Sequence, residues 1–318
     1  MRALTALLMC LLVAELAACD PVAVTESVTQ VAEAEPERLP VYAPRFGRTK
    51  PVVAVVAETY YTELSDFVVP YGILSASNAA DVYALATQPG VVRMFPANLT
   101  IAPQATTDDF DRRFPEGADY VIVPAVHRDG DPKLLAWVVA QARKGGTVVG
   151  VCDGVWVLAR AGLLEGRQAT GHWYSFDDLR KAYPRIQWQR GKRYVADGKV
   201  VTTTGVTATI PVSFALVEAI AGRDKALALA KSLGVECWSS AHPSERFRLR
   251  LASMLTIAGN YASFWRHEDV GIPVAPGVDE ISLALECRRV CGEVPLHGLH
   301  RVERPGAGRH AARADNHP

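Results

Sequence analysis

From residue 51 onward, short unbroken apolar runs alternate with longer stretches in which apolar and polar residues mix. Pro51-Val-Val-Ala-Val-Val-Ala57 is a β-branched run without polar interruption, the pattern of a strand buried on both faces. Residues 63–77 read as a helix, 81–86 and 90–95 as two further strands, and 103–113 as a polar loop. A buried strand over 120–125 follows, then a helix over 132–144 and a strand over 146–151. A helix starts directly behind it at Gly154. Strands at 193–196 and 200–203 flank an Asp197-Gly198 turn, and an apolar helix covers 212–221. Strands alternating with helices of about 10–15 residues predict an α/β fold with a mostly parallel sheet covered on both faces. Such sheets form their sites beyond the carboxyl ends of the strands.

The strand ending at Val151 delivers Cys152 to such a position. A residue pinned at a strand-to-helix turn has a strained backbone and a side chain pushed out of the sheet, as in a nucleophile elbow. The positive end of the following helix favours thiolate over thiol. The other reading of the same residue is a buried structural cysteine at a strand end, because free cysteine is among the most buried residue types.

Composition narrows the function classes. The chain has 318 residues, 49% of them hydrophobic, and Lys plus Arg balance Asp plus Glu at 34 each. No basic stripe interleaved with aromatics appears, so no nucleic-acid partner is expected. No Gly-x-Gly-x-x-Gly follows the first strand and no Walker motif occurs, so no nucleotide, flavin or other cofactor is expected. At the start, Arg2 precedes an apolar run over 3–13 that is too short to span a bilayer as a mature helix. The run leads to Leu16-Ala17-Ala18-Cys19, which resembles the lipobox of bacterial lipoproteins. That resemblance implies a signal peptide over 1–19, diacylation of Cys19 and, from Asp20 behind it, retention at the inner membrane. Glu15 departs from the usual apolar flank, and the alternatives are an ordinary signal peptide cut near Ala18 or an uncleaved anchor. In each case the domain is expected to be exported and held at the periplasmic side of the membrane, with 20–48 as a tether. Cys152, Cys237, Cys287 and Cys291 stay open to disulfide pairing. Cys287-x3-Cys291 with His297 and His300 matches no zinc spacing well, so no metal site is expected.

Three segments then justify a family name. Val151-Cys-Asp-Gly-Val-Trp-Val-Leu-Ala-Arg-Ala161, continuing to His172-Trp173, resembles the elbow region of the ThiJ/PfpI family. Val200-Val-Thr-Thr-Thr-Gly-Val-Thr-Ala208 resembles its later strand and glycine turn. Leu64-Ser-Asp66-Phe-Val-Val-Pro70 resembles its first helix, with an acidic residue before a proline. The resemblance covers roughly 51–233. It implies a flavodoxin-like three-layer sandwich, usually homodimeric, with no metal, nucleotide or flavin. Carried onto this chain, it makes Cys152 the elbow nucleophile, Asp66 the acid beside the sulfur and His172 a histidine approaching the same pocket. The backbone N–H of Asp153 would help bind an oxyanion. Glu63, near Asp66 on the same helix face, is a rival for the acid, and His172-Trp173 also reads as a packing pair. Two residues depart from the family pattern. Asp153 follows the cysteine, where a carboxylate opposes thiolate formation or serves as an extra general acid or base. Pro124-Ala125-Val126 replaces a Pro-Gly-Gly turn that often completes the oxyanion hole.

The resemblance implies hydrolase, lyase or hydratase chemistry on a small electrophile such as an isonitrile, aldehyde or amide. Its rivals are a ligand- or oxidation-sensing domain like those of AraC-type regulators, without their DNA-binding part, and a catalytically silent scaffold. Residues 234–287 form an extension of open structure. Within it, Val274-Ala-Pro-Gly-Val-Asp-Glu280-Ile-Ser282 faintly echoes Val56-Ala-Glu-Thr-Tyr-Tyr-Thr-Glu63-Leu-Ser65, as the start of a second copy or by coincidence. Over 288–318 the chain holds six Arg, four of its eight His and no Lys. That is the composition of a disordered tail or of a shifted reading frame, and no chemistry is assigned to it.

Overall fold

The computed structural model describes residues 37–97, 99–244, 251–263, 265, 271–293 and 302–303. Its centre is a seven-stranded sheet. The strands are β1 (Val52–Ala57), β2 (Asp81–Ala86), β3 (Ala105–Thr106), β4 (Tyr120–Val123), β5 (Thr147–Gly150), β6 (Tyr194–Asp197) and β7 (Val200–Thr203). They lie in the order β6-β7-β5-β4-β1-β2-β3, parallel except for β6, which runs antiparallel to β7.

Every residue of β1 is buried, because both faces are covered. Val53, Val55 and Ala57 join one core with α1 (Leu64–Ala76) and the later helix α6 (Thr209–Ala221). Val52, Ala54 and Val56 join the other, with α2 (Thr107–Arg113), α3 (Pro132–Arg143) and α4 (Gly154–Arg160). The result is the three-layer α/β sandwich expected from the residue pattern. Helices α5 (Phe176–Ala182) and α7 (Arg223–Ser232) also form, as do α8 (Leu251–Ala262) and α9 (Glu280–Glu293).

Four expectations change. The strand expected over 90–95 is Val92–Phe95 and lies outside the main sheet, paired with Thr62–Glu63 and Thr100–Ile101. Its alternating burial, with Arg93 exposed, suits a small sheet wet on one side rather than a central strand. The polar segment 103–113 contains β3 and α2 instead of a loop. A capping box between Thr106 and Asp109 starts α2, and Phe110 anchors it in the core. Residues 37–48, expected to belong to the tether, pack on the sandwich. Leu39 is buried, Tyr42 N–H donates to the Ala219 carbonyl at 2.9 Å, and Arg45 donates to the Lys144 and Gly145 carbonyls behind α3. Residues 288–293, expected in the tail, complete α9, which packs on α1 so tightly that a Cβ on Gly72 would stand 2.6 Å from Ile281 Cγ1. Residues 1–36, including Cys10 and Cys19, lie outside the described residues, as do 304–318. Among the described residues no helix is long and apolar enough to cross a membrane.

Asp119 ties the segment over 37–48 to the sheet. It is buried, accepts the Val52 N–H at 2.8 Å and pairs with Arg48 at 2.8 Å. Replacing it leaves a mostly buried guanidinium and a strand N–H without this acceptor. Asp119→Ala is expected to lower the urea-unfolding free energy by about 3 kcal/mol, read from the shift in midpoint at constant slope.

Candidate functional site

Cys152 follows β5 with φ of +55°, in the left-handed region, at the turn into α4. Such a conformation in a non-glycine residue costs on the order of 1–3 kcal/mol and persists only where its surroundings enforce it. Three hydrogen bonds do so. Val151 N–H donates to the Val123 carbonyl at 2.9 Å, Cys152 N–H to Thr203 Oγ1 at 3.0 Å, and Gly154 N–H to the Val151 carbonyl at 2.8 Å. Gly154 is required by space: a Cβ there would stand 2.1 Å from the Val123 carbonyl oxygen. The glycine lets the first turn of α4 press against the end of β4. The elbow geometry expected from the sequence is present, but the sulfur is not at an open mouth, because Cys152 is only 5% exposed.

The start of α1 forms the acidic wall. Glu63 is its N-cap and accepts the Asp66 N–H at 2.6 Å, while its own N–H donates to the Ala125 carbonyl at 2.8 Å. Asp66 is fully buried. Its Oδ2 accepts the Ala125 N–H at 3.3 Å, and its Oδ1 has no hydrogen-bond partner among the described residues. The turn that replaces Pro-Gly-Gly therefore uses the Ala125 N–H to hold Asp66. The Asp153 N–H points to the sulfur itself. Both donors expected for an oxyanion are thus engaged in the resting site.

Asp153 and His172 complete the cluster, both partly buried, with Asp153 Oδ1 and His172 Nδ1 lacking hydrogen-bond partners among the described residues. The imidazole rests against Gly205, where a Cβ would stand 2.8 Å from His172 Cδ2. Gly205 has φ −89° and ψ −173°, ordinary for any residue, so this glycine supplies room rather than conformational freedom. The ring centroids of His172 and Trp173 are 5.3 Å apart, which is the contact that the packing reading of that pair expects.

Electrostatics overturn one expectation. Burial, then the charges of Asp66, Asp153 and Glu63, push the Cys152 thiol well up, and only the Asp153 N–H pulls it down. A seven-residue helix behind the elbow is offset by desolvation and a carboxyl wall, so the resting group is a thiol. Burial and the neighbouring Glu63 charge likewise push Asp66 well above the usual carboxylate range. Burial raises Glu63 too, against the pull of Arg288 and of its capping hydrogen bonds. His172 is lowered by burial, against the opposing charge of Asp153 and with help from Arg288.

Arg288 is the member that sequence reasoning missed. Placed at the start of the tail by composition, it sits in α9 with Nη1 3.2 Å from Glu63 Oε1. The available signal was the echo over 274–282, which marks the start of a helix that carries Arg288 about two turns further on. Glu63, weighed only as a rival to Asp66, belongs to the site together with it. Among the described residues no three His, Cys, Asp or Glu side chains gather as a metal site. Cys152 and Cys237 are free and Cys287 is buried in α9, whereas His297 and His300 lie outside the described residues.

Comparison with known proteins places this geometry. Residues 51–219 match the DJ-1/PfpI family. The chain is 31% identical over 136 residues to the HTH-type transcriptional regulator GbdR of Pseudomonas aeruginosa, covering 42% of this chain and 35% of that protein. It is 36% identical over 96 residues to the isonitrile hydratase of Pseudomonas putida, covering 30% and 41%. The chain thus spans well under half the length of these curated relatives. A THiJ/PfpI family protein from Pseudomonas syringae superposes with a TM-score of 0.56 at 21% identity, covering 79% of this chain and 98% of that one. Drosophila melanogaster DJ-1beta gives 0.53 at 19%, covering 59% and 100%. At these identities the two structures establish the fold alone.

A buried acid that holds its proton more tightly than in the unfolded chain has a measurable signature. At low pH, Asp66 is protonated in both folded and unfolded chains and costs nothing. As pH rises past the unfolded-state value, the unfolded chain releases its proton and the folded one does not. Stability then falls by about 1.4 kcal/mol per pH unit until the folded group ionises. Asp66→Asn is expected to stabilise the fold at pH 7 and to leave it unchanged near pH 3, measured by urea unfolding across pH.

Proposed function

Because the chain belongs to the DJ-1/PfpI family, we propose that its Cys152 cluster is a small-molecule site in which a neutral thiol adds to a small electrophile. The observation that carries this reading is the fully buried Asp66, whose Oδ1 has no hydrogen-bond partner among the described residues and whose charge would act directly on the sulfur. In a desolvated pocket, chemistry that creates no net charge is favoured over chemistry that needs a thiolate. Sγ forms a bond to the electrophilic carbon. The S–H proton passes to the Asp66 carboxyl, which gives its own proton to the oxygen of a carbonyl or, with an isonitrile, to the same terminal carbon that sulfur attacks. The carboxyl ends as it began, protonated. With an isonitrile, the product of this step is a thioimidate. Water adds to its carbon, the C–S bond breaks, the thiol regains its proton, and a formamide leaves. In this proposal His172, whose Nδ1 has no hydrogen-bond partner among the described residues, orients that water.

A second reading is favoured by the 5% exposure of Cys152 and by the similarity to transcriptional regulators. On that reading the same pocket binds a ligand or senses oxidation without turnover. The two readings separate in a direct assay of small isonitriles and aldehydes. Catalysis predicts saturable turnover that Cys152→Ser abolishes and that Asp66→Asn lowers by about 10²–10⁴-fold. Saturable binding by calorimetry with no product from the wild type supports the sensor.

The lipobox-like segment adds a proposal about place. We propose that the chain is exported and anchored through a diacylated Cys19 on the periplasmic side of the membrane. Expressed in a Gram-negative host, it should incorporate labelled palmitate and fractionate with membranes. Cys19→Ala should lose the label and become soluble in the periplasm, and retention in the membrane without label would reject the anchor.

A further inference from the structure

We propose that Arg288, carried by α9, is the positioning residue that keeps Glu63 ionised and thereby leaves the shared proton on Asp66, facing Cys152. This rests on the reading of Asp66 as the proton-bearing acid of the site.

The geometry argues it in three steps. First, Glu63 and Asp66 sit within one turn of each other at the start of α1, both buried, and two adjacent carboxyls in such a place do not both ionise. One proton is therefore shared, and its location must be decided by the partners of each group. Second, those partners are unequal. Glu63 accepts the Asp66 N–H at 2.6 Å and the Ser65 hydroxyl at 3.5 Å, and it faces the Arg288 guanidinium at 3.2 Å. Asp66 receives one longer bond, from the Ala125 N–H at 3.3 Å, and its other oxygen has no hydrogen-bond partner among the described residues. A set of donors that ends in a guanidinium selects the ionised form, so Glu63 holds the charge and Asp66 the proton. Third, the cation comes from outside the sandwich. Without α9 the wall presents Glu63, Asp66 and Asp153 to the thiol, with His172 alongside. Among the described residues, Arg288 is the cation that acts on Glu63, Asp66 and His172 alike. The close fit of Ile281 over Gly72 holds α9 on α1 and so fixes where the guanidinium stands. The side chain is 38% exposed, so it reaches the buried wall from its solvent side.

The proton's location can be read directly. Infrared difference spectra should show the C=O stretch of a buried, protonated carboxyl that Asp66→Asn removes from the wild type. In Arg288→Gln the band should persist after Asp66→Asn and disappear with Glu63→Gln, because the proton has moved to Glu63. The proposal is overturned if Asp66→Asn removes the band in both backgrounds. Alkylation of Cys152 by iodoacetamide, followed by peptide mass across pH, gives a second readout. Losing the cation and ionising Asp66 both oppose a thiolate. Arg288→Gln should therefore shift the profile upward by about one unit, roughly tenfold in rate at fixed pH. Arg288→Lys should restore most of it, and Arg289→Gln, next in sequence but paired with Glu286, should leave it unchanged. A profile for Arg288→Gln that overlays the wild type, or an equal shift in the Asp66→Asn background, also rejects the idea. A wild-type Cys152 that never alkylates defeats the functional reading instead, and the infrared arm still decides where the proton lies.

Discussion

The left-handed turn at Cys152 is the constraint from which the rest follows. It is held by hydrogen bonds to the ends of β4 and β7 and by the close approach at Gly154. Those bonds place the cysteine beneath the first turn of α4 and behind the start of α1, where solvent barely reaches. Strain and burial arrive together, because the same packing that enforces φ +55° also desolvates the sulfur. The departures from the family turn fit this frame. Ala125 anchors Asp66 with its N–H, and Asp153 directs its N–H to the sulfur.

Desolvation then sets the chemistry. A helix N-terminus lowers a thiol when the thiol is wet or faces cations. Here the neighbours are three carboxyls, and burial comes first among the causes for Cys152, Asp66, Glu63 and His172. The proposed resting state holds few charges: a thiol, a protonated Asp66 and an uncharged imidazole beside a Glu63 that is paired with Arg288. A pocket so arranged suits reactions that shuttle a proton without separating charge. That distinguishes it from the thiolate site which the elbow motif alone suggests.

Much of this was legible in the residues. The all-buried β1, the Cys152 elbow, the acidic first helix and the glycine turn after β7 each carry a local pattern with a local cause. The segments that misled did so for physical reasons. Val92–Phe95 has the β-branched and aromatic content of a central strand, yet only pairing tells a main sheet from a small one. Thr106 and Asp109 make a capping box inside a stretch whose polarity reads as loop. The arginines at 45 and 48 look like tether residues until Asp119 and the end of α3 supply their partners.

Taken alone, the order of residues determined the α/β alternation, the place of Cys152 at a strand-to-helix turn, and Asp66 and Glu63 as the rival acids beside it. These depend on periodicity, turn chemistry and short motifs, which act over a few neighbouring positions. Tertiary structure decided that the sulfur is a buried thiol, that Glu63 and Asp66 share one proton, and that Arg288 joins them across 225 positions of chain. Charge states depend on burial and on the distance to other charges, and both exist only once α1, α4 and α9 are packed together.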